Sequence, residues 1–150
     1  MIKVKKCRVD WLSLVVCVVL YKFKERLEDP HDYEFLLVKR DDGKWAIPGG
    51  VGGSEVTNNI FDFAKVEVMY DTDFQLLPQN LEELKTVVSK CGKKITIFLS
   101  YNIGKYTTIY EDGLSGELFS LERILQMNDN GQIAFNNTEI IKEFILCRKQ

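Results

Sequence analysis

The stretch WAIPGGVGGSEVTNNIFDFAKVEVMYD, at positions 45–71, sets a glycine-rich run directly before an oily helical pattern. Gly49, Gly50, Gly52 and Gly53 are four residues without side chains in five positions, and bare backbone N–H groups of that kind can approach a phosphate. A flexible turn satisfies the same pattern. Lys39 and Arg40, shortly before the run, bring charge that meets phosphate oxygens, although such residues at a strand end are commonly just solvated. Trp45 and Tyr21 carry rings able to stack on a base, and Trp45 also suits a core position.

Winding the segment from Ile60 at about 100° per residue gathers Ala64, Val68, Phe61, Tyr70 and Phe63 into one apolar arc. Asp62, Lys65 and Met69 fall opposite. Glu67 lies inside the arc. A carboxylate there must be paired, protonated or turned toward a cleft, because an unpaired buried charge is costly.

These residues need a scaffold, and the chain supplies a regular one. Positions 13–23 are rich in Val and Leu and read as a buried strand. A polar connection containing Pro30 leads to a second strand at 34–40, then the turn DDGK, then a returning strand at 44–48. The glycine run thus hangs from a hairpin and feeds a helix over 55–70. An extended piece is predicted at 74–77, a polar stretch at 78–83, and two strands around a turn at 91–93. A short strand at 116–120 precedes a helix capped by Ser120, and a last helix over 137–149 is capped by Asn137 or Thr138.

The fold class is therefore α/β with a mixed sheet, in one domain over all 150 residues. A net charge of −2 gives no general attraction to nucleic acid or anionic lipid. The apolar run at 11–21 is too short to cross a bilayer as a helix and lacks a small-residue cleavage site, so a cytoplasmic protein is expected. Cys7, Cys17, Cys91 and Cys147 are widely spaced, and His31 is the single histidine, so neither a zinc site nor a disulfide framework is expected. Long exposed strands are compatible with a homodimer, though the sequence does not give the oligomeric state.

A strand, then LLVKRDDGKWAIPGG, then a loop carrying a glutamate, then one helix, resembles the Nudix superfamily. That signature is a glycine, five residues, a glutamate, seven residues, then Arg-Glu-U-x-Glu-Glu-x-Gly-U, with U bulky and apolar. Gly49 and Glu55 match the opening spacing. Counting on, Phe63 and Ala64 stand for Arg-Glu, Glu67 and Val68 for Glu-Glu, and Tyr70 for the last glycine. From the second glycine of the pair, the loop counts one residue short. GELFSLERIL and the passage from Gly131 to Ile141 also resemble the family's late strand and helices.

The resemblance implies an α/β/α sandwich with one loop–helix segment and a C-terminal helix. It implies a catalytic or metal-binding role for Glu67, helped by Glu55 and a later acid such as Glu111 or Glu117, with Mg²⁺ as cofactor. Arg40, Trp45, Gly49 and Gly50 would meet a nucleotide or nucleoside-diphosphate derivative. One helix carboxylate cannot build a multi-metal cluster. The expected function is therefore binding of such a ligand, or of a partner, with little or no hydrolysis. The rivals are an atypical Mg²⁺-dependent hydrolase cleaving a nucleoside diphosphate linked to another moiety, and an interaction module whose cleft is filled by Phe61 and Phe63.

Overall fold

The computed structural model describes residues 13–25, 29–52, 59–106 and 115–148. The Val- and Leu-rich run forms β1 (Ser13–Phe23), the central strand of a seven-stranded mixed sheet. Around it lie β2 (Tyr33–Lys39), β3 (Trp45–Ala46), β4 (Gly49–Gly52), β5 (Glu82–Val88), β6 (Lys94–Asn102) and β7 (Glu117–Ser120). The path across the sheet is β3-β2-β1-β6-β5, with β4 added to β1 and β7 to β2. On one side β6 runs parallel to β1, from Ser13 opposite Lys94 to Tyr21 opposite Asn102.

The other edge of β1 is divided. Its first half pairs with β4, Leu14 opposite Gly52 through Cys17 opposite Gly49, and its end pairs with β2. At the changeover the Val18 N–H donates to the Pro48 carbonyl at 2.8 Å.

Strand alternation then decides the layers. Leu14, Val16, Val18 and Leu20 face α1 (Ile60–Thr72) and pack with its Ala64 and Val68. Val19, Phe35, Leu37 and Phe98 face the opposite way. That side is covered by α3 (Leu121–Asp129), through Ile124 and Met127, and by α4 (Asn137–Arg148), through Ile140, Ile141 and Phe144. Each fully buried aliphatic or aromatic side chain contributes about 1.5–3 kcal/mol, and α2 (Ile103–Tyr106) adds Ile103 to the α1 side. The α/β/α sandwich is thus what forms. No helix among the described residues is long and apolar enough to cross a membrane.

Several local expectations change. The first helix runs to Thr72 rather than ending at position 70, and it begins at Ile60 after the N-cap Asn59. Tyr70 (85% exposed) and Phe61 (45% exposed) lie outside its buried stripe, which is Ala64, Val68 and Thr72. Positions 74–77 are not a strand; Phe74 and Leu76 plug the α1-side core from an irregular segment. Ser120 caps α3 as predicted, accepting from the Arg123 N–H. Neither Asn137 nor Thr138 caps α4 through its side chain. Asn137 instead accepts from the Ile47 N–H at 2.9 Å, and the Thr138 hydroxyl donates to Asn128. Cys17 and Cys147 are free, while Cys91 is disulfide-bonded, against the expectation from spacing.

The Asn137 bond crosses from α4 to the chain leading into β4, and both partners are buried. Asn137→Ala leaves the Ile47 N–H unpaired and is expected to lower stability by about 1–3 kcal/mol in urea denaturation. Asn137→Ser, adequate for a helix cap but too short to reach Ile47, should not recover it.

Candidate functional site

The glycine run is a strand rather than a loop over 49–52, and its glycines are needed for close packing. A Cβ at Gly49 would overlap the Val16 carbonyl and the Cys17 backbone. A Cβ at Gly50 would overlap the Glu67 carboxylate. So β4 lies against β1 on one side and against a single face of α1 on the other.

That face carries two acids. Glu67 and Asp71 are one helical turn apart, and i,i+4 side chains are neighbours. Asp71 accepts from the Gly49 N–H at 3.0 Å. Burial raises the Glu67 carboxyl above its ordinary value, and the Asp71 charge raises it further. Burial also raises Asp71, opposed by the bond from Gly49. Behind them the Cys17 thiol is pushed up to about 11, by burial first and then by Asp71, so it is no nucleophile at neutral pH. Among the described residues no cation forms an ion pair with either acid.

Beside Asp71 is an open hollow of about 210 Å³, lined also by Val38, Lys39, Trp45, Ser115 and Glu117. Two bonds hold the hollow's far wall against the end of α1. The Ser115 N–H donates to the Thr72 carbonyl at 3.0 Å, and its hydroxyl donates to Asp73 at 2.9 Å. Trp45 is half-buried, set edge-on to Phe119 at 4.9 Å, and bonded through its backbone to Gln132 and Ala134.

The structure therefore brings together Glu67, Gly49, Gly50 and, around the hollow, Trp45, Lys39 and Glu117. Arg40 is not among the lining residues: its guanidinium pairs with Asp42 at 3.3 Å and lies 4.4 Å over the Phe135 ring. The Gly49 N–H is already committed to Asp71, so it does not serve a phosphate. Glu55, Gly53 and Glu111 lie outside the described residues. Phe61 lies away from the Trp45 hollow, beside Pro78 and Gln79, so it does not close that cleft.

Asp71 is the residue that sequence reasoning missed, because the sequence pattern ends the helix at position 70, one before it. The same wheel carried one step further puts Asp71 at about 20°, next to Glu67 at about 340°. No group of three or more metal-binding side chains occurs among the described residues.

No family model matches the sequence, and no curated protein matches it. Solved structures do. A MutT/nudix family protein from Enterococcus faecalis aligns at 21% identity with a TM-score of 0.55, over 77% of this chain and 46% of that one. The NUDIX domain of Shewanella oneidensis NrtR, complexed with ADP ribose, aligns at 21% identity and a TM-score of 0.62, over 90% and 86%. The chain has the Nudix fold. The C. elegans Ap4A hydrolase is also similar, with a TM-score of 0.54 at 14% identity over 91% of this chain and 98% of that one. In this Nudix-fold chain the carboxylate pair of α1, the glycine strand β4 and the Trp45 hollow form one continuous candidate site.

Two consequences are measurable. Gly49→Ala meets backbone and should cost several kcal/mol in denaturation, whereas at Gly50→Ala the flexible Glu67 side chain can swing aside with a far smaller loss. Second, a raised carboxyl pKa in the folded state opposes folding once both states are ionised. That penalty is fully present above the folded pKa values of Glu67 and Asp71, and fades as pH falls through them toward the ordinary carboxylate range. Glu67→Gln should therefore stabilise the metal-free protein at neutral pH, and the gain should shrink on acidification. A pH series of urea midpoints checks the sign.

Proposed function

We propose that this Nudix-fold protein binds a nucleoside diphosphate derivative in the Trp45 hollow, together with one divalent cation held by Glu67 and Asp71, and hydrolyses it slowly or not at all. The observation that carries this reading is the pair itself: two partly desolvated carboxylates, one turn apart, with no cationic partner among the described residues. Such a pair calls for either a proton or a cation.

The donor set fits a hard cation such as Mg²⁺, which takes oxygen ligands and commonly keeps several waters around one or two carboxylates. When bound it would neutralise charge on a diphosphate. The chain's own residues do the rest. Lys39 at the hollow's rim offers a point charge to phosphate oxygens, Trp45 offers a ring edge to the organic part, and Asp71 stays anchored by Gly49. The ADP ribose in the similar NrtR domain and the diadenosine substrate named for the C. elegans protein support the ligand class.

Weak catalysis follows from what α1 lacks. Asp73 closes the helix at φ 60°, the left-handed position where the signature has its last glycine, and buried Phe74 follows it as the bulky residue. Set in that register, Glu67-Val68 stand for Glu-U and Asp71 for the last glutamate. The register is three residues later than the one counted from Gly49, and the loop is two residues longer than usual from Gly50. Two of the three helix acids are then present. Tyr70 replaces the third and Val66 replaces the arginine, so a multi-metal cluster has no support from α1. The rival hydrolase reading draws on Glu117, which shares the hollow with Asp71 and could take a proton from water.

Melting temperatures and product formation with ADP-ribose, with and without Mg²⁺, test the proposal. A metal-dependent rise is expected, lost in Glu67→Gln and in Asp71→Asn, with turnover far below the roughly 1–10³ s⁻¹ usual for enzymes. Turnover in that range, abolished by Glu67→Gln, would establish the hydrolase instead. A rise equally large without metal and unchanged in both variants would refute the carboxylate site.

A further inference from the structure

A second cavity of about 210 Å³ lies farther along β1, on the sheet face covered by α4, and shares no lining residue with the Trp45 hollow. It sits where the parallel strands β1 and β6 end. Tyr21 is opposite Asn102 in the β1–β6 register, and Ser100 is opposite Glu82 in the β5–β6 register. Residues opposite one another, or two apart on one strand, project to the same face, so these four side chains gather beneath the end of α4. Clefts at the carboxyl ends of parallel strands are a favoured place for ligands in open α/β sheets.

The cavity presents mainly donors. Ser100 is 3% exposed, lines the cavity, and its hydroxyl makes no hydrogen bond to the described protein. Asn102 accepts from the N–H groups of Gly104 and Lys105 at 3.0 and 3.1 Å. Those bonds fix its carboxamide and leave the NH₂ end to serve a ligand. Arg148 is held rigid: its guanidinium lies 5.1 Å over the Tyr21 ring and 5.0 Å over the Phe144 ring, and donates to the Tyr21 hydroxyl at 2.8 Å. An arginine immobilised in this way loses little further entropy on binding.

One carboxylate is already there. Glu82 accepts from Arg148 at 3.3 Å, longer than a strong charge-assisted bond, and its side chain is 65% exposed. It is a weakly held occupant of an arginine site.

We infer that this cavity is a binding site for a small organic acid, whose carboxylate displaces Glu82 at Arg148 and accepts from Ser100 and Asn102 while its carbon body lies against Tyr21. The site is independent of the Glu67–Asp71 pair and needs no divalent cation.

The test is calorimetric titration of the full chain with benzoate, succinate and inorganic phosphate, without divalent metal, followed by amide chemical-shift mapping. Binding of benzoate or succinate is expected, with shifts at Ser100, Glu82 and the Asn102 side-chain NH₂. Ser100→Ala should weaken it by about tenfold, the worth of one hydrogen bond to a charged group. Ser100→Val should abolish it. Glu82→Gln, which removes the internal competitor, should tighten it several-fold, and Glu67→Gln should leave it unchanged. Arg148→Gln should abolish it; if that variant does not fold, the Ser100 and Glu82 variants still decide. Neither acid binding the wild type or Glu82→Gln, phosphate binding more tightly than both acids, indifference to both Ser100 variants, or shifts confined to the Trp45 hollow would each overturn the inference.

Discussion

The architecture of this site depends on how closely three pieces of backbone approach one another. The strand β4 must lie against β1 to form its hydrogen bonds and against α1 to meet Glu67, and on the β1 side the backbone leaves no space for a side chain. Glycine at 49 is therefore a steric requirement, with no unusual backbone angle involved, whereas at 50 it leaves the Glu67 carboxylate its place. Because β4 takes the first half of one edge of β1, β2 can pair only with its end. That division turns the chain between β3 and β4 across the sheet edge and leaves Trp45 beside the end of α1.

The same packing sets the electrostatics. Glu67 and Asp71 are pressed onto the glycine strand, where burial raises both carboxyls and the Asp71 charge raises Glu67 and Cys17 further. The Gly49 N–H returns some of that cost by bonding Asp71. A cation would return more. The energetic tension and the ligand preference of the site thus have one origin, two like charges held together by helix geometry and partial burial.

The opposite face of the sheet has a different character. It is built on aromatic contacts, Tyr21, Tyr33, Phe35 and Phe144 meeting one another with ring centroids 4.5–6.1 Å apart. Arg148 ends α4 on this cluster and walls the second cavity. Asn137, at the other end of α4, bonds Ile47 and so connects this layer to the segment that leads into β4. One helix thereby supports both cavities from its two ends.

What the sequence determined by itself was set by short-range physics. The Val- and Leu-rich run of β1, the Asp-Gly turn before β3 and the Ser120 cap each act within a few residues, and each forms where the pattern places it. The mixed α/β class was legible from the order of such elements, and the α/β/α layering from the family resemblance. The tertiary structure decided the rest. Whether α1 includes Asp71 depends on Asp73 adopting a left-handed angle, on Phe74 entering the core and on Ser115 bonding the last turn from 43 residues away in sequence. Whether Asn137 caps its helix or reaches Ile47, and whether Arg40 faces the hollow or Phe135, are choices between partners distant along the chain. Local propensity cannot rank such partners, because only the folded sheet brings them within hydrogen-bonding or ring-stacking range.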